Sequence, residues 1–370
     1  VSDLLNIIQG DWFDVSKQIA DESINTCVTS PPYYGLRDYG TAKWEGGDDG
    51  CDHEAARSRT GFDYALSEKQ QSSKGTDVKS YKPACPCGAA RVDSQIGIES
   101  TPEAYVERLV EAFREVRRVL RKDGTLWLNL GDSYANDTKW GGSTGGKHAA
   151  ALHGSTGIGR GKKQTGLKSK DLIGIPWMVA FALRADGWYL RSDIIWHKPN
   201  PMPESVTDRP TKAHEYIFLL SKSANYYYDA DAIKEKAEWQ RENNPDWQDQ
   251  RSATNEKKGA GNRNGKSGGF TNWDTSQGRN KRSVWTVNTR SYSGAHFATF
   301  PPKLIEPCIL AGCPQGGVVL DPFAGSGTTG KVALELGRRA VLVELNPEYI
   351  ALCNERTQTT LGLPFSLLRA

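Results

Sequence analysis

Apolar side chains recur at helical spacing from Thr101 to Arg121: Tyr105, Leu109, Val110, Phe113, Val116 and Leu120 share one face, with charged residues between them. Thr101, followed by Glu103 and Glu107, suits a helix start, and Asp123-Gly124 suits its close. Ile173 to Ala185 reads as a second helix. Short β-prone runs predict strands at Ile24 to Thr29, Thr125 to Leu130, Tyr189 to Trp196 and Glu215 to Leu220. Further on, Val318 to Leu320 predicts a strand, followed by a glycine loop, a helix through Leu336 and a strand at Ala340 to Val343. That succession is a βαβ unit, so the chain is expected to build an α/β sheet. No internal repeat is evident.

Three polar stretches interrupt the pattern. Residues 40–96 are rich in Ser, Gly, Asp and Lys and read as an insertion rather than core. Gly131 to about Lys170 forms a loop long enough to suggest mobility or a binding role. From about Tyr227 to Gly294 the chain is polar and basic, interleaved with Trp239, Trp247, Phe270, Trp273 and Trp285, and is expected to lie outside the regular sheet.

Composition sharpens this picture at two points. The net charge is only +3, yet Arg160, Lys162 and Lys163, then Lys168 and Lys170, then the run from Lys257 to Arg282 concentrate positive charge. Local basic surface of this kind suits a polyanion. The cysteines number seven, an odd count, and no apolar run resembles a secretory signal or a membrane span. A soluble cytoplasmic protein with reduced or metal-bound thiols is expected. Cys51-Asp-His53 and Cys85-Pro-Cys87 offer four soft ligands in two close pairs, the stoichiometry of a structural zinc site, although the one-residue gaps are tight. Cys27, Cys308, Cys313 and Cys353 lie in apolar stretches and read as core.

Two loops carry candidate chemistry. Asp321-Pro-Phe-Ala-Gly325-Ser-Gly327-Thr-Thr-Gly330 sits between a strand and a helix, where glycines let backbone amides approach a ligand. A phosphate-binding P-loop fails at Val332, which stands where Ser or Thr would reach magnesium, whereas the glycine spacing also fits a dinucleotide fingerprint. Glu344, at the end of the next strand, is placed to accept from ribose hydroxyls. In Thr29-Ser30-Pro31-Pro32-Tyr33 the paired prolines fix the backbone, so that the Ser30 hydroxyl and the neighbouring carbonyls can converge as acceptors on one small group, while Tyr33 offers a stacking face. A base held there, out of its helix, would have its exocyclic N–H groups engaged.

Asp321 through Thr329 resembles the AdoMet-binding motif of amino-group DNA methyltransferases. Ser30-Pro31-Pro32-Tyr33 resembles their catalytic motif in the form typical of N4-cytosine enzymes; N6-adenine enzymes more often carry Asp in place of Ser30. Catalytic motif first and cofactor motif last resembles the β group of that family, which implies a Rossmann-like methyltransferase sheet in circularly rearranged order. The resemblance assigns the catalytic role to Ser30, Pro31, Pro32 and Tyr33. It assigns cofactor contacts to Asp11, Thr29, Phe300, Pro301, Asp321, Pro322, Phe323, Ala324, Gly325, Ser326, Gly327, Thr328, Glu344 and Asn346. It also implies a catalytic core of residues 1–39, 97–224 and 295–370 and a target-recognition region at 225–294, with the zinc-binding segment read from its cysteines and histidine inserted at 40–96.

The expected activity is methyl transfer from S-adenosylmethionine to cytosine N4 in double-stranded DNA, with adenine N6 as the alternative. A cognate restriction endonuclease is an expected functional partner, in a monomer or homodimer without membrane association. Asp11 and Asp132 could equally be turn acids. A cytosine-C5 enzyme would need a Pro-Cys nucleophile loop after a strand, and neither Pro86-Cys87 nor Pro307-Cys308 stands in that position. An inactive DNA-binding module and an NAD-dependent oxidoreductase remain rivals of other classes, the latter giving the Ser30 loop no task.

Overall fold

The computed structural model describes residues 4–35, 41–53, 56, 84–135, 166–168, 170–201, 203–204, 207–236, 278–289 and 300–361. In chain order these form β1 (Leu5–Gln9), α1 (Trp12–Val15), β2 (Ile24–Thr29), β3 (Lys43–Glu45), β4 (Ala90–Val92), α2 (Pro102–Val119), β5 (Leu120–Leu130) and α3 (Ile175–Ala185). They continue with β6 (Tyr189–His197), β7 (His214–Ser221), β8 (Val284–Thr286), α4 (Pro302–Gly312), β9 (Val318–Asp321), α5 (Thr328–Glu335), β10 (Arg339–Glu344) and α6 (Pro347–Leu361).

Eight strands form one sheet in the order β1-β10-β9-β2-β5-β7-β6-β8. The strands from β1 to β5 run parallel, and β7 is antiparallel to both of its neighbours, β5 and β6. Helices cover both faces, as a parallel sheet requires. On one face α2 and α3 bury Tyr105, Leu109, Phe113, Val179 and Leu183 against β2 and β5. On the other, Leu304, Cys308, Val332 and Cys353 pack with Val319 and Leu342. Cys27, Cys308, Cys313 and Cys353 are all buried free thiols, in keeping with their apolar contexts.

The α2 stripe buries the residues its spacing predicts, and Thr101 caps it by accepting from Ala104 N–H at 3.1 Å. Two expectations need correction. Asp123-Gly124 does not separate helix from strand, because β5 begins at Leu120 and takes up the exposed Arg121, Lys122 and Asp123 as a bulge against β2. Nor does the Tyr227 to Gly294 stretch lie wholly outside the sheet: Val284–Thr286 pairs parallel with β6 as β8. Its short exposed-buried-exposed pattern is held by Trp285, which packs on Trp127 with ring centroids 6.5 Å apart. The rest of the basic tryptophan-containing run, residues 237–277, and most of the Gly131 to Lys170 loop lie outside the described residues.

Candidate active site

β9 and β2 are neighbours, and the strands that follow them in this sheet lie in opposite directions, β10 beside β9 on one side and β5 beside β2 on the other. Open α/β sheets bind ligands at such a reversal, beyond the carboxyl ends of the strands. β2 ends at Thr29 and β9 at Asp321, so both motifs emerge at this crevice. They are joined directly: Thr29 Oγ1 donates to Asp321 Oδ1 at 2.7 Å.

Asp321 is buried and holds the two loops together. Its Oδ1 also accepts from Phe323 N–H at 3.1 Å, and its Oδ2 accepts from Thr329 Oγ1 at 2.6 Å. Burial pushes its pKa up to about 6, against the opposing pull of these hydrogen bonds. Beyond it, Gly325 has φ +52°, and a side chain there would meet nothing within 4 Å, so open space lies over the glycine turn. Gly327, at φ +77°, starts α5. Glu344 closes the crevice from the end of β10: Oε2 accepts from Gly325 N–H at 2.7 Å and Oε1 from Asn346 N–H at 2.8 Å. Burial lifts the Glu344 pKa to about 7.

Other predicted cofactor residues are more mixed. Ser326 and Thr328 are buried, and Arg356 of α6 donates to their hydroxyls at 2.7 and 2.8 Å. Asp11 lies just beyond β1, which pairs with β10 in the register Gln9 to Glu344, and it caps α1 by accepting from Phe13 N–H at 2.8 Å. Phe300 is half-buried against the second core, and Pro301 starts α4. Pro322 and Ala324 lie within the turn after β9, where Ala324 N–H donates to Val343 O at 3.0 Å. Asp132 behaves as a turn acid, its Oδ1 accepting from Ser133, Gly174 and Ile175 N–H at the start of α3.

Ser30 to Tyr33 leaves β2 as a tightly held loop. Tyr105 Oη donates to Pro32 O at 2.9 Å, whereas no hydrogen bond among the described residues uses Pro31 O. Ser30 Oγ lies 3.5 Å from Tyr33 Oη, which donates to Glu215 Oε2 at 2.8 Å. Asn129 Nδ2 donates to the same Glu215 oxygen at 3.2 Å and to Tyr216 O at 3.1 Å, and Lys198 pairs with Glu215 Oε1. Burial and the Glu215 carboxylate hold the Tyr33 phenol well above its ordinary pKa, so it stays a donor. Gly131 approaches the ring so closely that an added Cβ would stand 2.5 Å from Tyr33 Cε2.

Sequence reasoning passed over Tyr105, Asn129, Lys198, Glu215 and Arg356. Tyr105 carries a hydroxyl on an otherwise apolar helix stripe, and Asn129 and Glu215 are polar residues in strand runs, which are the signals that could have marked them.

Away from the crevice, Cys51, His53, Cys85 and Cys87 converge, with their ligand atoms within 4.8 Å of one another. Cys51 Sγ and Cys85 Sγ are 3.8 Å apart, and Cys87 Sγ and His53 Nδ1 are 3.6 Å apart. No helix among the described residues is long and apolar enough to cross a membrane.

Comparison with known proteins agrees with this geometry. The chain is similar to the Type II methyltransferase M.Cfr9I of Citrobacter freundii, at 40% identity over 352 residues, covering 95% of this chain and 87% of that protein. Among solved structures, it resembles PvuII DNA methyltransferase (cytosine-N4-specific) with a TM-score of 0.53 and 16% identity, covering 95% of this chain and 86% of that one. A Thermus thermophilus protein described as a DNA modification methylase, solved with S-adenosyl-L-methionine, aligns with a TM-score of 0.50 and 21% identity, covering 96% and 94% of the two chains. At these identities the solved structures speak for the fold. The model of a DNA methylase family matches residues 24–355, and the chain belongs to that family of amino-methylating DNA methyltransferases.

Proposed function

We propose that the protein transfers a methyl group from S-adenosylmethionine to the exocyclic N4 of cytosine in double-stranded DNA, acting on a base turned out of the helix. The observation that carries this reading is the Thr29–Asp321 hydrogen bond, which fixes the Ser30 loop beside the open glycine turn. The cofactor residues present suit the donor. Gly325 leaves room for close approach, Glu344 presents a carboxylate for ribose hydroxyls, and Asp321 sets negative charge near a cationic sulfonium. When bound, S-adenosylmethionine supplies an electrophilic methyl group.

The protein's part is to make a poor nucleophile react. The lone pair of an exocyclic amine is delocalised into its ring. Ser30 Oγ and Pro31 O, accepting from the two amine hydrogens, localise that pair most strongly as the nitrogen attacks, which favours the transition state over the bound substrate; the N–C bond would form as the donor's S–C bond breaks to leave a neutral thioether, and the surplus amine proton would leave to solvent. Pro32 O is directed instead to Tyr105, so one carbonyl serves the base and the other anchors the loop. The Glu215, Asn129 and Lys198 set orients Tyr33 for contact with the base. A structural Zn2+ ion held by Cys51, His53, Cys85 and Cys87, and a partner endonuclease of matching specificity, complete the reading; Type II is part of the name of M.Cfr9I.

Nucleoside masses of DNA incubated with protein and donor test the target. N4-methylcytosine is the expected product; N6-methyladenine would move the target to adenine within the same architecture, and no modified base would contradict the proposal.

Two further results are expected. With the Glu344 pKa near 7, the ribose-accepting carboxylate is mostly protonated below that value, so S-adenosylmethionine affinity should fall as pH is lowered from about 8 to about 5.5. The sign follows because the ligand prefers the deprotonated form, and the limiting slope for one proton is about tenfold per pH unit. Calorimetric titration across that range checks it, and a flat profile would refute the role of Glu344. Gly131→Ala should displace the Tyr33 ring and lower turnover by roughly tenfold while donor affinity holds, as steady-state kinetics beside calorimetry would show.

A further inference from the structure

The insertion leaves the Ser30 loop and returns to it. Gly35 N–H donates to Gly97 O at 2.8 Å where the two ends meet, and Thr41 Oγ1 donates to Asp93 Oδ1 at 3.0 Å a little further out. Beyond both ties β3 and β4 pair antiparallel in the register Lys43 to Val92. Gly97 lies directly against the loop, since a Cβ there would stand 3.0 Å from Tyr33 O and 3.3 Å from Pro32 O. The backbone that positions the base-receiving residues therefore rests on the root of the insertion.

Among its described residues, very little apolar material holds that insertion together. Its cluster consists of buried Ala56, Cys85 and Ala89 with Trp44, Cys51 and Cys87 packed against them, so half of the cluster is cysteine. The separations fit a metal. Tetrahedral zinc with Zn–S of about 2.3 Å and Zn–N of about 2.0 Å places two sulfurs about 3.8 Å apart and a sulfur and a nitrogen about 3.5 Å apart. The observed 3.8 and 3.6 Å match both, whereas a disulfide needs about 2.05 Å.

The surrounding backbone is shaped for the same purpose. Gly88 N–H donates to Cys85 O at 2.9 Å, turning the chain between the ligands Cys85 and Cys87, and His53 N–H donates to Cys51 Sγ at 3.4 Å. Trp44 stacks on the His53 ring at 4.5 Å, which sets its orientation.

We infer that one Zn2+ ion bound by Cys51, His53, Cys85 and Cys87 braces the base-receiving loop, so that metal occupancy governs methyl transfer to DNA while leaving donor binding intact. The zinc assignment and the methyltransferase site proposed above underlie this coupling. The donor crevice is lined by the ends of β2, β9 and β10 and the start of α5, and none of the described insertion residues belongs to these elements.

The test begins with metal analysis of the purified full chain, without DNA or donor. One zinc per chain is expected, and a metal-free folded protein would overturn the inference. Chelation followed by desalting should then lower the single-turnover rate on DNA by roughly tenfold or more, with S-adenosylmethionine affinity changed by less than about twofold and the rate restored by added Zn2+. Full transfer activity after confirmed zinc loss would overturn the brace. Cys87→Ser should also lose zinc, and His53→Cys should retain it. If Cys87→Ser fails to fold, judged by circular dichroism, the chelation series on the native chain decides. A zinc-loaded protein that binds the donor yet methylates no DNA would refute the methyltransferase site, and the coupling with it, while leaving the metal centre standing.

Discussion

Ser30→Ala is expected to lower kcat on DNA by about 10²- to 10³-fold, the scale seen when one pre-aligned hydrogen-bonding group is removed from a charge-developing centre. Donor affinity should change little, because Ser30 Oγ has Tyr33 Oη as its recorded partner and the tie to the cofactor loop runs through Thr29. The fold should persist as well: Ser30 is only half-buried, and the loop keeps its Tyr105 to Pro32 anchor. Single-turnover kinetics beside calorimetric titration separates these effects. Unchanged turnover would remove Ser30 from the chemistry.

Asp321 gives the second large effect, and two substitutions divide its roles. Asp321→Ala leaves Thr29 Oγ1 and Phe323 N–H without their acceptor, at about 1–3 kcal/mol for each donor left buried and unsatisfied. A loss of several kcal/mol in stability, read by denaturant unfolding, is expected. Asp321→Asn is nearly isosteric. Its remaining oxygen can serve Thr29 and Phe323, and Thr329 can turn its hydroxyl toward Val28 O, 3.2 Å away, while accepting from the new amide. That variant should fold while losing the negative charge near the sulfonium, and donor affinity should fall by roughly tenfold, about 1.4 kcal/mol. Wild-type affinity in Asp321→Asn would confine the residue to joining the two strands.

Local pattern made much of this legible. The α2 stripe, β2 with its proline stop and the unit from β9 to β10 are encoded in consecutive residues, and Cys51, His53, Cys85 and Cys87 stand out as soft side chains in a polar setting. What escaped depends on distant partners. β1 is five residues long and takes its place by pairing with β10, at the far end of the chain, while β8 is a three-residue edge strand fastened by one tryptophan. Glu215 and Asn129 reach Tyr33 only because β5, β7 and β2 lie within two strands of one another in the sheet. No spacing rule in a single sequence reports such a meeting. Ser326 and Thr328 have a distant partner of the same kind: Arg356, 28 residues or more downstream, meets both hydroxyls.

The most direct test of the whole account is a crystal structure of the zinc-loaded protein with a cognate duplex and a non-reactive analogue of the donor. One base is expected out of the helix, its exocyclic amine donating to Ser30 Oγ and Pro31 O with its nitrogen about 3–3.5 Å from the position of the transferable carbon. A duplex whose bases all remain stacked, or an analogue seated away from the β9 and β2 rim, would contradict it.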